Sequence, residues 1–227
     1  MSSDVIAIDG PAASGKSTAA KKLSERLGIP YINTGNMYRA ITWHAMSQGV
    51  AIEKPSETTF AKLLDSLELD YIKNKKDEFE IFVNGSFPGT AIRSPEVASG
   101  VSAVAALPLV RKWLLSKQRA MTKLGLLVME GRDIGTEVFP DARFKFFLTA
   151  SALVRAKRRL AQEGETYDGA TLESVAREIE ERDKKDMSRA VAPLRKADDA
   201  LLVDSSDMTI EEVLDRLESI VRNGMGR

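Results

Sequence analysis

The chain contains no cysteine and a single histidine. Thiolate chemistry and a disulfide framework are therefore out of reach, and one histidine argues against a structural or catalytic zinc site. A surplus of charge is also missing, since 33 Lys+Arg stand against 33 Asp+Glu. Proteins that grip nucleic acid along its phosphates carry a basic excess. No nucleic-acid partner is expected here, and any functional cations must be local clusters. No apolar run approaches the ~20 residues of a membrane span. The start, Met1-Ser2-Ser3-Asp4, lacks the basic and apolar regions of a secretory leader. A cytoplasmic protein with no membrane partner is the expectation. What the chain does have is 227 residues, 43% of them hydrophobic, enough for one domain or one domain carrying an insertion.

The most informative stretch is Gly10-Pro11-Ala12-Ala13-Ser14-Gly15-Lys16-Ser17. It fits G-x-x-x-x-G-K-[ST] at every fixed position and lies in the right context. The apolar strand Val5-Ile6-Ala7-Ile8 runs into it, and helix-forming residues from Thr18 to Leu27 follow. In such a loop the backbone N–H groups surround a phosphate chain and the helix start adds its positive dipole end. Lys16 can reach the β- and γ-phosphates, and the Ser17 hydroxyl can ligate Mg²⁺. The loop implies a nucleoside triphosphate, without saying where the γ-phosphate goes.

Strand and helix signals alternate along the chain. Strands are expected over Val5–Asp9, Tyr31-Ile32, Leu126–Met129, Phe144–Leu148 and Ala200–Val203. Helices are expected over Lys16–Leu27, ended by Gly28, and from Thr34 to about Gln48; Thr209-x-x-Glu212 opens a last one. Buried-type strands separated by helices imply an α/β fold, a parallel sheet covered on both faces. The middle departs from this. Leu67–Tyr71 and Phe79–Val83 flank a polar turn, and Asn84-Gly85 could lead to a third short strand. About residues 55–97 are read as an insertion, with 1–54 and 98–227 as the core. Ser94, as N-cap with Pro95 after it, restarts helix. The polar, glycine-bearing segment around 160–170 suits a mobile lid.

Arginines recur where ligands would sit. Thr34 and Arg39 open the second helix, and Arg132-Asp133 follows a strand, at the edge where open α/β sheets bind ligands. Arg155, Arg158 and Arg159 fall at i, i+3 and i+4, while Arg182, Asp186 and Arg189 fall at i, i+4 and i+7. Each set can equally be a solvated face or a surface ion pair, and Asp133 can merely cap a turn. Many arginines around a phosphate loop imply an anionic acceptor. A nucleoside monophosphate, with a second phosphate pKa of about 6, is already a nucleophile near pH 7. Positioning and charge neutralisation then suffice.

Five blocks now carry a family resemblance: Ile8-Asp9-Gly10-Pro11; Thr34-Gly35-x-Met37-Tyr38-Arg39; Gly131-Arg132-Asp133-Ile134-Gly135-Thr136; Val138-Phe139-Pro140-Asp141-Ala142; and Glu181-Arg182-Asp183 through Arg189-Ala190-Val191-Ala192-Pro193-Leu194. Over nearly the whole chain, and in order, the sequence resembles the bacterial cytidylate kinases. The resemblance implies a three-layer P-loop kinase core with a small inserted monophosphate-binding domain and a short lid, working as a monomer. It implies phosphoryl transfer from ATP, with Mg²⁺, to CMP or dCMP. Gly10 to Ser17 and Thr18 would bind ATP. Thr34, Arg39, Arg132 and Arg189 would approach the acceptor phosphate; Ser102, Arg111 and Asp133 would read the base; Arg182 and Asp186 would hold the sugar. Arg155 and Arg159 resemble lid-side arginines that close on the phosphates, and Arg158 could serve instead. With Lys16, Arg132 and Arg189 they form the expected catalytic set.

The base-reading set is chemically coherent. Asp133 can accept from the cytosine N4 amino group, and Arg111 and Ser102 can donate to N3 and O2. The sequence departs from the family's commoner pattern at Glu130 and Asn33, where Asp is usual, and at Asn36, which replaces a small apolar residue. Asp9 stands open between a water-mediated Mg²⁺ role and simple support of the loop. The rival readings are another small P-loop kinase, acting on UMP, dephospho-CoA or shikimate, and a nucleotide-gated switch. The chain has no guanine-reading N-K-x-D motif, and a switch would leave the acceptor-type arginines without a role.

Overall fold

A computed structural model describes residues 3–75, 77–162, 166 and 169–226. By Cα proximity the described chain forms two compact units. The first comprises Met1–Asn33, Met121–Ala161 and Ala170–Arg227; the second comprises Thr34–Ala120 and Gln162–Gly169.

The first unit is built on a five-stranded parallel sheet of β1 (Ser3–Asp9), β2 (Tyr31–Asn33), β5 (Leu127–Gly131), β6 (Ala142–Thr149) and β7 (Leu201–Asp204). Their order across the sheet is β2-β5-β1-β6-β7. Strand β1 lies between β5 and β6, with Asp9 opposite Gly131 and Phe147. The order brings the end of β1, where the phosphate loop starts, beside the end of β5, where Arg132-Asp133 starts. One sheet face packs on α1 (Lys16–Leu27) and α8 (Ile210–Met225). Ile6, Ile8, Leu23, Val128, Phe146, Leu214 and Leu217 make that core continuous. Each such fully buried side chain contributes about 1.5–3 kcal/mol. A smaller apolar cluster joins the phosphate loop to α6 (Ala152–Leu160) and α7 (Leu172–Met187), through Ala12, Ala156, Val175 and Ile179.

Local chemistry sets the helix ends. Thr209 and Glu212 form the expected capping box on α8. Gly28, at φ 65, ends α1 in the left-handed conformation that glycine adopts without a Cβ penalty. Helix α7 opens with a second capping box, from Thr171 and Ser174.

The second unit holds α2 (Thr34–Ser47), α3 (Glu57–Asp65), α4 (Pro95–Val104), α5 (Pro108–Ala120) and the antiparallel pair β3 (Leu69–Lys73) and β4 (Phe79–Val83). Ser94 caps α4 through the Val97 amide with Pro95 in the first turn, as expected. The third strand after Asn84-Gly85 does not form. Beyond one bridge between Val83 and Ser86, residues 89–93 make a 3₁₀ turn. Pro88 has no N–H to give a ladder, and Gly89 turns the chain at φ 57. The unit is also wider than the 55–97 insertion read from the strand and turn pattern. Helix α2 packs on α4 and on the 3₁₀ turn, and α3 packs on α5, so both flanks join the same body.

Candidate active site

The phosphate loop is shaped by backbone. Gly10 must be glycine because a Cβ there would lie 2.1 Å from the Leu148 carbonyl oxygen. Gly15, at φ 87, is the residue before α1. Lys16 is buried and donates to the Pro11 carbonyl at 3.0 Å, curled over its own loop. Burial pulls its ammonium down to about 7; Arg132 and Arg182 add to the fall, while Glu130 and Asp186 oppose it. The lysine thus shares an electrostatic neighbourhood with Arg132, Arg182 and Asp186. Ser14 Oγ is fully buried inside the loop and has no hydrogen-bond partner among the described residues. Ser17, at the start of α1, is exposed.

Two helices hold the loop from behind. Asp183 Oδ1 accepts from the Ala12 amide at 3.1 Å, and Arg155 Nη1 donates to the Ala12 carbonyl at 3.1 Å. Arg155 also pairs with Asp183 Oδ2 and donates through Nε to the Ala150 carbonyl at 3.0 Å. Both side chains are buried. Arg155 is therefore placed differently from the lid-side group expected of it: an acidic partner on α7 draws its guanidinium inward against the loop. Asp183 belongs to the block Glu181-Arg182-Asp183 that carries the resemblance, but nothing in the sequence gives it a role of its own. Arg158 reaches the loop as well, donating to the Ser14 carbonyl at 3.2 Å and to the Ser205 carbonyl at 2.7 Å. Arg159, the other residue expected at the lid, is half-buried near the end of α6. The expected lid itself includes residues 163–165, 167 and 168, which lie outside the described residues.

A second cluster lies in the same unit. Arg132 Nε donates to Asp186 Oδ2 at 2.9 Å, and Arg189 pairs with Asp186 Oδ1. Asp186 is 1% exposed. Burial works to raise its carboxyl, but Arg132, Arg189 and Arg182 outweigh burial and hold it below the ordinary value of 3.8. The i, i+4, i+7 reading fails for Arg189. Helix α7 stops at Met187, and the chain folds back so that the Leu194 amide donates to the Asp186 carbonyl at 2.9 Å. The pairing survives through that turn rather than through a helix face.

Asp133 is buried and begins a π turn over Ile134–Val138, closed by Phe139 N–H to Ile134 O at 2.7 Å. The two carboxylate oxygens of Asp9 accept from the Ile134 and Gly135 amides, each at 2.8 Å. Burial pushes Asp9 up to about 7 against those two amides, with Asp133 adding to the rise. Glu130 is buried and its Oε1 accepts from Tyr31 Oη at 2.8 Å and from Asn33 Nδ2 at 2.6 Å.

In the second unit, Thr34 is buried at the start of α2. Arg39 Nη1 donates to the Ile92 carbonyl at 3.4 Å. Arg111 is buried, donates to the Ala105 carbonyl at 3.2 Å and lies 5.6 Å from the Tyr38 ring centre. Ser102 is half-buried on α4.

A parallel sheet whose first strand feeds a glycine-rich loop over a helix N-terminus, with arginine clusters on the adjoining strand end, defines a P-loop kinase. The cytidylate kinase family model matches residues 6–223. The chain is 46% identical to the cytidylate kinase of Geobacillus sp. strain WCH70, covering 97% of each chain. It is 45% identical to that of Clostridium botulinum strain Loch Maree, covering 96% of this chain and 97% of the relative. It also matches, at 45% identity over 98% of its length, the bifunctional pantoate ligase/cytidylate kinase of Synechococcus elongatus, of which it spans 43%. The chain thus spans less than half the length of the bifunctional relatives it matches. A solved structure of an uncharacterized protein from Eubacterium ventriosum is similar in fold alone, at TM-score 0.50 and 16% identity over 98% of each chain. The chain belongs to the cytidylate kinase family. Among the described residues no single helix is long and apolar enough to cross a membrane.

Proposed function

We propose that the protein transfers the γ-phosphoryl group of ATP to CMP or dCMP, giving ADP and CDP or dCDP, as a cytoplasmic monomer of pyrimidine nucleotide metabolism. The observation that supports this most is the sheet register. Asp9 pairs with Gly131 in parallel strands, so Gly10, the start of the donor loop, and Arg132, assigned to the acceptor, leave the sheet side by side.

In this reading the loop from Gly10 to Thr18 cradles the triphosphate through its amides, and Lys16 leaves Pro11 for the β/γ oxygens. Ser14, whose buried hydroxyl lacks a partner among the described residues, and the exposed Ser17 fit a triphosphate with its Mg²⁺. Among the described residues no cluster of three or more His, Asp or Glu offers an all-protein metal cage. An ion held by the Ser17 hydroxyl and substrate phosphates would supply charge neutralisation when bound. The CMP phosphate, a dianion near pH 7, attacks the γ-phosphorus as the bond to the β-bridging oxygen breaks, with no general base needed. Thr34, Arg39, Arg132 and Arg189 would bind the attacking phosphate. Ser102, Arg111 and Asp133 would read cytosine, and Arg182 with Asp186 would hold the sugar. Arg155 acts through Ala12, as a positioning residue for the loop, and Arg158 and Arg159 complete the cationic side.

Steady-state kinetics with CMP, dCMP, UMP and AMP at fixed Mg-ATP test this. Uracil would set O4 against Asp133 and a protonated N3 against the donors, at about 1–3 kcal/mol for each unpaired group. CMP or dCMP should exceed UMP in kcat/KM by ~10- to 1000-fold. Near equality would remove Ser102, Arg111 and Asp133 from base recognition.

A further inference from the structure

We infer that Asp9 is a positioning residue for the acceptor turn, acting through the amides of Ile134 and Gly135 rather than on the metal. This rests on the assignment of Arg132 and Asp133 to the acceptor. The turn that follows them faces a problem common to helix starts. Its first N–H groups have no acceptor within the turn. Asp133 O takes the Glu137 and Val138 amides, and Ile134 O takes that of Phe139. The amides of Ile134 and Gly135 need an outside partner, and Asp9, from 125 and 126 residues earlier, supplies one oxygen to each. Register makes this possible, because Asp9 pairs with Gly131 across β1 and β5. A carboxylate at the last position of β1 therefore lies beside the chain as it leaves β5 for Arg132.

Two features make the link stiff. Asp9 is 4% exposed, so water cannot substitute for either amide. Behind Gly135 runs the stem of Lys145, whose ammonium is fixed by the Pro140 carbonyl and by Asp199 at 2.7 Å. A Cβ at 135 would lie 3.2 Å from Lys145 Cδ and 3.5 Å from Asp9 Oδ2. The turn is thus clamped between the Asp9 carboxylate and the Lys145 stem. Because Asp9 also immediately precedes Gly10, one residue ties the entry of the donor loop to the acceptor turn. With one amide on each oxygen, Asp9 serves the turn as a hydrogen-bond acceptor. Each oxygen keeps a second lone pair, so a Mg²⁺ titration separates the two roles the sequence left open for it.

Two variants test the link independently. Asp9→Asn keeps the shape but turns an NH₂ toward one of the two amides, donor against donor. Gly135→Ala leaves Asp9 intact and pushes the turn off the Lys145 stem. Each is compared with the parent and with Arg132→Ala in CMP and UMP kinetics at saturating Mg-ATP, in ATP kinetics, and in Mg²⁺ titrations, with circular dichroism to verify folding. A misplacement of about 1 Å can cost ~100-fold. Both variants should raise KM for CMP by at least ~10-fold and bring the CMP/UMP ratio toward one. KM for ATP and the half-saturating Mg²⁺ should stay within about threefold of the parent. If Asp9→Asn does not fold, Gly135→Ala carries the same expectation. The inference is overturned if Arg132→Ala raises KM for CMP while the folded variants do not. It is equally overturned if half-saturating Mg²⁺ moves more than KM for CMP. If Arg132→Ala itself binds CMP as the parent does, the acceptor assignment fails, and this inference with it.

Discussion

The phosphate loop and the Asp186 cluster, proposed as donor loop and acceptor cluster, belong to the same unit and are made of opposite materials. The donor loop is backbone. Its shape depends on two glycines, on a carbonyl that Lys16 occupies, and on the Ala12 amide and carbonyl held by Asp183 and Arg155. The acceptor cluster is side chain. Asp186 gathers Arg132 from the end of β5 and Arg189 from beyond the end of α7. In the proposed reading, a backbone cradle would hold the triphosphate whatever base it carries, whereas a charged cluster could exchange partners for an anion. The difference would match the two tasks of holding a donor and selecting an acceptor.

Asp183 and Asp186 put this contrast within one turn of α7. Removing the Asp183 charge takes the carboxylate from buried Arg155, which costs about 3–5 kcal/mol of stability. Removing that of Asp186 leaves half-buried Arg132 and Arg189 facing each other and costs less. The kinetic effects should separate. Asp183→Asn should raise KM for ATP, because it loosens Ala12, and leave KM for CMP near the parent value. Asp186→Asn should do the reverse. Urea unfolding and paired KM measurements check both, and a common KM pattern in the two variants would erase the distinction between the regions. Lys16→Ala comes next in size. It should lower kcat about 100- to 1000-fold, the usual scale for losing one transition-state donor, with an unchanged circular dichroism spectrum. Turnover within a few-fold of the parent would take Lys16 out of the mechanism.

The same contrast explains what could be read in advance. A backbone cradle leaves a local signature, since glycines at fixed spacing and a lysine at the helix start are adjacent in the chain. Gly10 to Ser17 could be read directly, together with the strand and helix around it. Charged pairs between distant segments leave none. Nothing around Asp183 marks it as the partner of Arg155, and nothing in the run from Ser188 to Leu194 shows that Arg189 returns to Asp186 by a turn. Family resemblance placed Arg132, Asp133 and Asp186 in one site, while the pairings among them came only from the fold. The missing third strand and the width of the second unit have a related cause. Both depend on packing between α2, α4 and the 3₁₀ turn, which composition does not report.

Acid should act on the charged cluster in a defined direction. Asp186 is held below its ordinary value in the folded protein. A group with a depressed folded pKa contributes its full stability above the unfolded value and loses it as pH falls through the folded one. The stability gap between the parent and Asp186→Asn should therefore be widest above pH 3.8 and narrow on acidification below it. Urea midpoints at pH 7, 5 and 3 measure the gap. A gap constant over that range would mean that Asp186 contributes through packing rather than charge.

The smallest effect belongs to the donor loop and is purely conformational. Gly15 adopts φ 87, and a Cβ there would meet Arg158 Nη1 at an ordinary 3.6 Å. Space is thus available for alanine, and the strain lies in the left-handed backbone, about 1–2 kcal/mol. Gly15→Ala should lower the unfolding free energy by that amount. It should also raise KM for ATP, because the residue precedes the first helical amide that faces the phosphates. KM for CMP should stay unchanged, because the side chain that a Cβ at 15 would meet is Arg158, on the donor side. A rise in both KM values would show that the backbone cradle and the charged cluster move as one, and the separation between them would have to be given up.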